Sequence, residues 1–104
     1  MIVVESLLKA IADPTRAAIL DGLVERDGQT LFEICARLAS NGASSASRQA
    51  ISQHLAVLEE AGLVVTQRQG RFKFHYVDTS PLVEIQRRWP SRARKTSHSE
   101  RAEP

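Results

Sequence analysis

The stretch Ser47-Arg48-Gln49-Ala50-Ile51-Ser52-Gln53-His54-Leu55-Ala56-Val57-Leu58-Glu59-Glu60-Ala61-Gly62 decides the fold. Ile51, Leu55 and Leu58 recur at i, i+4 and i+7, the spacing of one helix face. Ser47 is a good N-cap, and Gly62 is a C-terminal stop. At about 100° per residue, the opposite side presents Arg48, Gln49, Ser52, Gln53 and, at its margin, His54. No acid follows until Glu59 and Glu60. Arg48 lies in the first turn, where a cation opposes the helix dipole, so a partner outside the helix is implied.

Upstream, Thr30 and Glu33 form a capping box that opens another helix, with Leu31, Ile34, Cys35 and Leu38 as its inner face. Between the two helices, residues 40–47 read SNGASSAS, with no large apolar side chain, and mark a turn. Earlier still, Val4, Leu7, Leu8 and Ile11 outline a first helix. Asp13-Pro14 supplies the N-cap and N1 of a second, with Ile19, Leu20, Leu23 and Val24 on its stripe and Gly28 at its end.

Downstream of Gly62 the period changes from 3.6 to 2. Leu63-Val64-Val65-Thr66 starts a strand and Gln69-Gly70 a turn. Phe72, Phe74 and Tyr76 then alternate with Arg71, Lys73 and His75. The expected element is a hairpin with one aromatic face and one basic, polar face, and with His75 at the surface. A last helix carries Leu82, Ile85 and Trp89, and Pro90 stops it. SRARKTSHSERAEP, residues 91–104, is polar and aperiodic, so a single domain over 1–89 with a disordered tail over 90–104 is expected. The fold class is mainly α with a small β-hairpin: a winged helix-turn-helix of four helices, a hairpin wing and a C-terminal helix.

Composition agrees with this reading. The chain has 104 residues, 42% apolar and 25% charged, ordinary for one globular domain. No apolar run approaches the ~18 residues of a membrane span. MIVVESLLKA has no basic region and is interrupted by Glu5 and Lys9, so no secretory signal is expected. A single cysteine leaves no internal disulfide, and a reducing cytoplasm is expected. The net charge of +2 conceals an asymmetry: residues 1–60 carry −3 and residues 61–104 carry +5. An anionic partner is expected for the second half, nucleic acid ahead of a membrane surface.

On the helix from Ser47, Arg has the geometry for guanine, Gln for adenine, and Ser for a base or a phosphate. At the hairpin tip, Arg68 and Arg71 can reach phosphates or a narrow minor groove. The expected DNA-contacting set is therefore Ser47, Arg48, Gln49, Ser52, Gln53 and His54 on the helix over 47–61, with Arg68, Gln69, Arg71 and Lys73 on the wing over 66–74. For His54, helix-edge packing is the alternative. A dimer is expected as well. Val4, Leu7, Leu8 and Ile11 at one end and Leu82, Ile85 and Trp89 at the other are more apolar surface than one small core needs. The competing function is a winged-helix module that binds protein rather than DNA.

Catalysis is not expected: there is no G-x-S-x-G, no P-loop, no paired carboxylates in an apolar surround, and no Cys/His pair near a cleft. Cys35 falls on an apolar stripe and reads as a small buried hydrophobe. His54, His75 and His98 lie on three elements without metal spacing, so no metal or other cofactor is expected.

Several segments together resemble a known family. Ala12-Asp13-Pro14-Thr15-Arg16, Ser47 to Leu55, Leu58-Glu59-Glu60-Ala61-Gly62-Leu63-Val64 and Arg68-Gln69-Gly70-Arg71 are similar, in matching order over about residues 5–89, to the ArsR/SmtB family of bacterial winged-helix repressors. The resemblance implies a homodimer formed by the first and last helices, an imperfect palindrome near a promoter, and repression relieved by a ligand. Two features depart from the family pattern. Ser40–Ala46 lengthens the turn before the fourth helix. The family's metal motifs are not matched either: Leu31–Leu38 holds one cysteine, and Leu82–Trp89 holds Glu84 but no histidine.

Overall fold

A computed structural model describes residues 3–94. The order is α1 (Val4–Ala12), α2 (Pro14–Glu25), α3 (Leu31–Ser40), α4 (Arg48–Glu60), β1 (Val64–Gln69), β2 (Phe72–Val77), a 3₁₀ turn (Ser80–Leu82) and α5 (Val83–Arg88). Local chemistry sets the helix starts. The Asp13 carboxylate accepts from the Arg16 amide at 3.0 Å, ahead of Pro14 at N1. That amide is the main reason the Asp13 carboxyl is held below its usual range. Thr30 and Glu33 make the reciprocal capping box, and Ser47 accepts from the Ala50 amide at 3.1 Å.

One apolar core joins the helices to the base of the hairpin. Leu7, Ile19, Leu23, Ile51, Leu58, Leu63 and Val64 are its most enclosed members. Leu7 is fully enclosed, which corrects its assignment to a dimer surface: a side chain with no exposed area has none to give a partner. Val24 was expected on the α2 stripe but is exposed, because α2 buries only Ile19 and Leu23.

The strands pair antiparallel from Val64↔Val77 to Gln69↔Phe72. The turn residues are Gly70 and Arg71, one position later than expected. Gly70 has φ +60° and Arg71 a negative φ, the pattern of a II′ turn. The hairpin departs from expectation at His75, while Arg71 and Lys73 are exposed and Phe74 and Tyr76 half-buried. His75 is buried and Val77 packs on the core, whereas Phe72 is 56% exposed. At this point Gln29 pairs with His75 as an isolated third-strand bridge: each amide donates to the other's carbonyl, at 3.0 and 2.7 Å. The Gln29 amide group also donates to the Gly22 and Arg26 carbonyls, satisfying the orphan end of α2. The wing is thereby fastened to the helical body on the face that carries His75.

α5 is shorter than expected, its first turn being 3₁₀, with Trp89 just beyond it. Residues 90–94 have no regular structure, and the rest of the expected tail, with Lys95, His98 and Arg101, lies outside the described residues. No described helix is long and apolar enough to cross a membrane.

Candidate nucleic-acid interface

α4 is embedded by Ile51, Leu55 and Leu58 and presents its other side to solvent. Ser47, Arg48, Gln49, Ser52 and Gln53 are exposed there, as are Arg68, Gln69, Arg71 and Lys73 on the wing. The seven-residue connection from Asn41 to Ser47 leads into the N-cap of α4 and leaves Arg48, Gln49, Ser52 and Gln53 exposed.

Several cations elsewhere on the molecule are paired, although Lys9, Arg16, Arg92 and Arg94 also lack an acidic partner among the described residues. Arg37 pairs with Glu25, Arg87 with Glu84 at 2.8 Å, and Arg88 with Glu5 at 2.7 Å. Arg48, Arg68, Arg71 and Lys73 have no acidic partner among the described residues. Arg68 and Lys73 are moreover directly opposite across the hairpin. Like charges at that position are mildly destabilising, and an external anion relieves them.

His54 is half-buried and engaged. Its Nδ1 lies 3.1 Å from an Arg16 guanidinium nitrogen, which can only donate. Nδ1 is therefore the acceptor, and the ring proton sits on Nε2. Arg16 also donates to the Ala10 carbonyl at 2.8 Å and the Lys9 carbonyl at 3.1 Å. One guanidinium thus ties the end of α1 and the start of α2 to α4. Sequence reasoning missed this role because the partners are distant in the chain; Arg16 following the Asp13-Pro14 cap is the only local signal. Arg16→Lys is expected to lower stability by about 2 kcal/mol in urea unfolding, since an ammonium cannot serve three acceptors in a fork. Wild-type stability for that variant would show that the fork is dispensable.

Between α4, β2 and the start of α3 lies a cleft of about 310 Å³. Leu31, Phe32, Leu55 and Phe72 give it apolar walls, and Arg48, Arg71 and Lys73 reach it from α4 and the wing. Cys35 is half-buried against the core, and burial raises its thiol pKa, with Arg48 pulling slightly the other way. Among the described residues no group of three His, Cys, Asp or Glu is placed to hold a metal ion.

An open polar helix face beside a cationic hairpin is the geometry of a winged helix-turn-helix, and the relatives agree. The helix-turn-helix domain family matches residues 11–67. The uncharacterized HTH-type transcriptional regulator YuzN of Bacillus subtilis (strain 168) is 41% identical over 85 residues, 82% of this chain and 92% of that protein. The transcriptional repressor SdpR of the same organism is 32% identical over 77 residues, covering 74% and 78%. An ArsR-like transcriptional regulator from Rhodococcus sp. RHA1, of known structure, is 31% identical with a TM-score of 0.68, covering 81% of this chain and 71% of that one. The chain belongs to the ArsR family of helix-turn-helix transcriptional regulators.

Within this ArsR-type regulator, α1 and the region of α5 also carry exposed apolar groups. Leu8 and Trp89 are exposed, at 36% and 55%, while Val4, Ile11, Leu82 and Ile85 are half-buried. Arg88 links the two helices: its guanidinium pairs with Glu5 of α1 and lies 4.8 Å above the Trp89 ring.

Proposed function

We propose that this regulator is a homodimeric repressor acting in the cytoplasm on a palindromic double-stranded operator. The observation that carries the reading is the set of four exposed cations on α4 and the wing without acidic partners among the described residues, two of them opposite one another across the hairpin. In this reading α4 enters the major groove, where Arg48, Gln49, Ser52 and Gln53 meet base edges and Ser47 a phosphate. His54, held by Arg16, offers its Nε2–H at the groove's edge. Arg68, Gln69, Arg71 and Lys73 engage the flanking backbone. Val4, Leu8, Ile11, Leu82, Ile85 and Trp89 form the subunit contact, setting two α4 helices ~34 Å apart on one face of the duplex.

Two substitutions at exposed positions separate reading from anchoring. Gln53→Ala is expected to weaken specific binding by about 1–3 kcal/mol and to relax discrimination at one base pair. Arg71→Ala is expected to weaken all duplexes alike and to lower the salt slope by about one. Fluorescence anisotropy on operator and random duplexes checks both. Equal losses on the two duplexes for Gln53→Ala, or an unchanged slope for Arg71→Ala, would contradict the assigned roles.

A further inference from the structure

The cleft between α3, α4 and β2 holds one polar atom that the fold leaves unsatisfied. His75 is only 4% exposed and lines this cleft. Its Nδ1 lies 2.9 Å from the Gln29 carbonyl, an acceptor, so Nδ1 carries the proton. Nε2 then has a lone pair and no partner among the described residues. Buried polar atoms are nearly always paired, and one left open beside a cavity asks for a donor from outside.

The rest of the lining narrows the chemistry. Phe32 and Phe72 are 66% and 56% exposed and offer the cleft two aromatic faces on which a flat ring can pack. Arg48, Arg71 and Lys73 call for an anion. Arg48, Ser52, Leu55 and Glu59 lie on one stripe of α4, with Arg48 and Glu59 about 16 Å apart along the axis. The cleft is therefore cationic towards Arg48, while His75 and Glu59 are hydrogen-bond acceptors. A volume near 310 Å³ is at the small end for ligand sites.

We infer that the cleft binds a small hydroxyaryl carboxylate, its ring against Phe32 and Phe72, its carboxylate on the cations and its hydroxyl donating to His75 Nε2. Arg48, Ser52, Arg71 and Lys73 are also the groups assigned to DNA, so ligand and duplex compete; this consequence rests on the proposed DNA-binding function. The competition is local and needs no movement of the helices.

The test is an NMR titration of the full chain, without DNA, with 4-hydroxybenzoate as the probe. Saturable shifts at His75, Phe32, Leu55 and Lys73 are expected. Benzoate, which lacks the hydroxyl, and 4-hydroxybenzyl alcohol, which lacks the carboxylate, are each expected to bind about tenfold more weakly. Phe32→Ala, at an exposed position outside the DNA-contacting set, is expected to weaken the probe about tenfold and leave duplex affinity unchanged. Absence of saturable shifts at these residues at roughly 10 mM probe, or equal affinity for all three compounds, overturns the site. Probe binding with no loss of duplex affinity overturns the competition. A chain that binds the probe but never a duplex refutes the DNA reading while leaving the cleft assignment standing.

Discussion

Affinity for an operator duplex is expected to fall on the order of 10³–10⁵-fold between roughly 50 and 200 mM salt. Each protomer presents Arg48, Arg68, Arg71 and Lys73 without acidic partners among the described residues, so a dimer neutralising about 6–10 phosphates is within reach. Each neutralised phosphate releases condensed counterion, and added salt opposes that release. The repulsion between Arg68 and Lys73 adds to the contrast, since phosphate relieves it in the complex and salt screens it in the free protein. The surface ion pairs elsewhere, such as Arg87–Glu84, contribute little and are screened in the free and bound states alike. Anisotropy titrations at several salt concentrations measure the slope. A flat response would mean that the cationic wing does not meet phosphate, and the protein-binding module would become the better reading.

The elements that sequence alone revealed are those written in local chemistry. The Asp13-Pro14 start, the Thr30/Glu33 box and the Ser47 cap each need only a few consecutive residues. The α4 face is legible for the same reason, since Ile51, Leu55 and Leu58 make an apolar stripe opposite Arg48, Gln49, Ser52 and Gln53. What stayed hidden depends on distant parts of the chain. A period of two has two phases, and the sequence of β2 does not say which faces inward. The buried phase is set by packing against the folded body, where His75 meets Gln29, 46 residues earlier, and Val77 joins the core. The one hint was Val77, an apolar residue in phase with His75. In sequence Arg16 stands out only as the residue after the Asp13-Pro14-Thr15 start, although it joins three helices, because its acceptors on Lys9, Ala10 and His54 come together only after folding. The wing cations were found by composition, but their lack of partners is a property of the folded surface.

Leu7 and Leu8 are neighbours in sequence and opposites in effect, which yields a second large prediction. Leu7 is fully enclosed beside Ala10 in the core, whereas Leu8 is 36% exposed. Leu7→Ala removes buried methyl groups and leaves a cavity, so it is expected to cost about 2–5 kcal/mol. A domain of this size has about 5–15 kcal/mol in total, so a large share of its stability is lost. Because the cavity forms within one protomer, the loss is the same at every protein concentration. Leu8→Ala is expected to change little in the isolated protomer and instead to shift the monomer–dimer equilibrium, a loss that concentration offsets by mass action. Urea unfolding and sedimentation at several concentrations separate the two. A concentration-dependent loss for Leu7→Ala would place that side chain at the subunit contact and contradict its enclosure. An unaltered dimer for Leu8→Ala would leave the contact to Trp89 and α5, whose exposed indole beside Arg88 is then the next group to truncate.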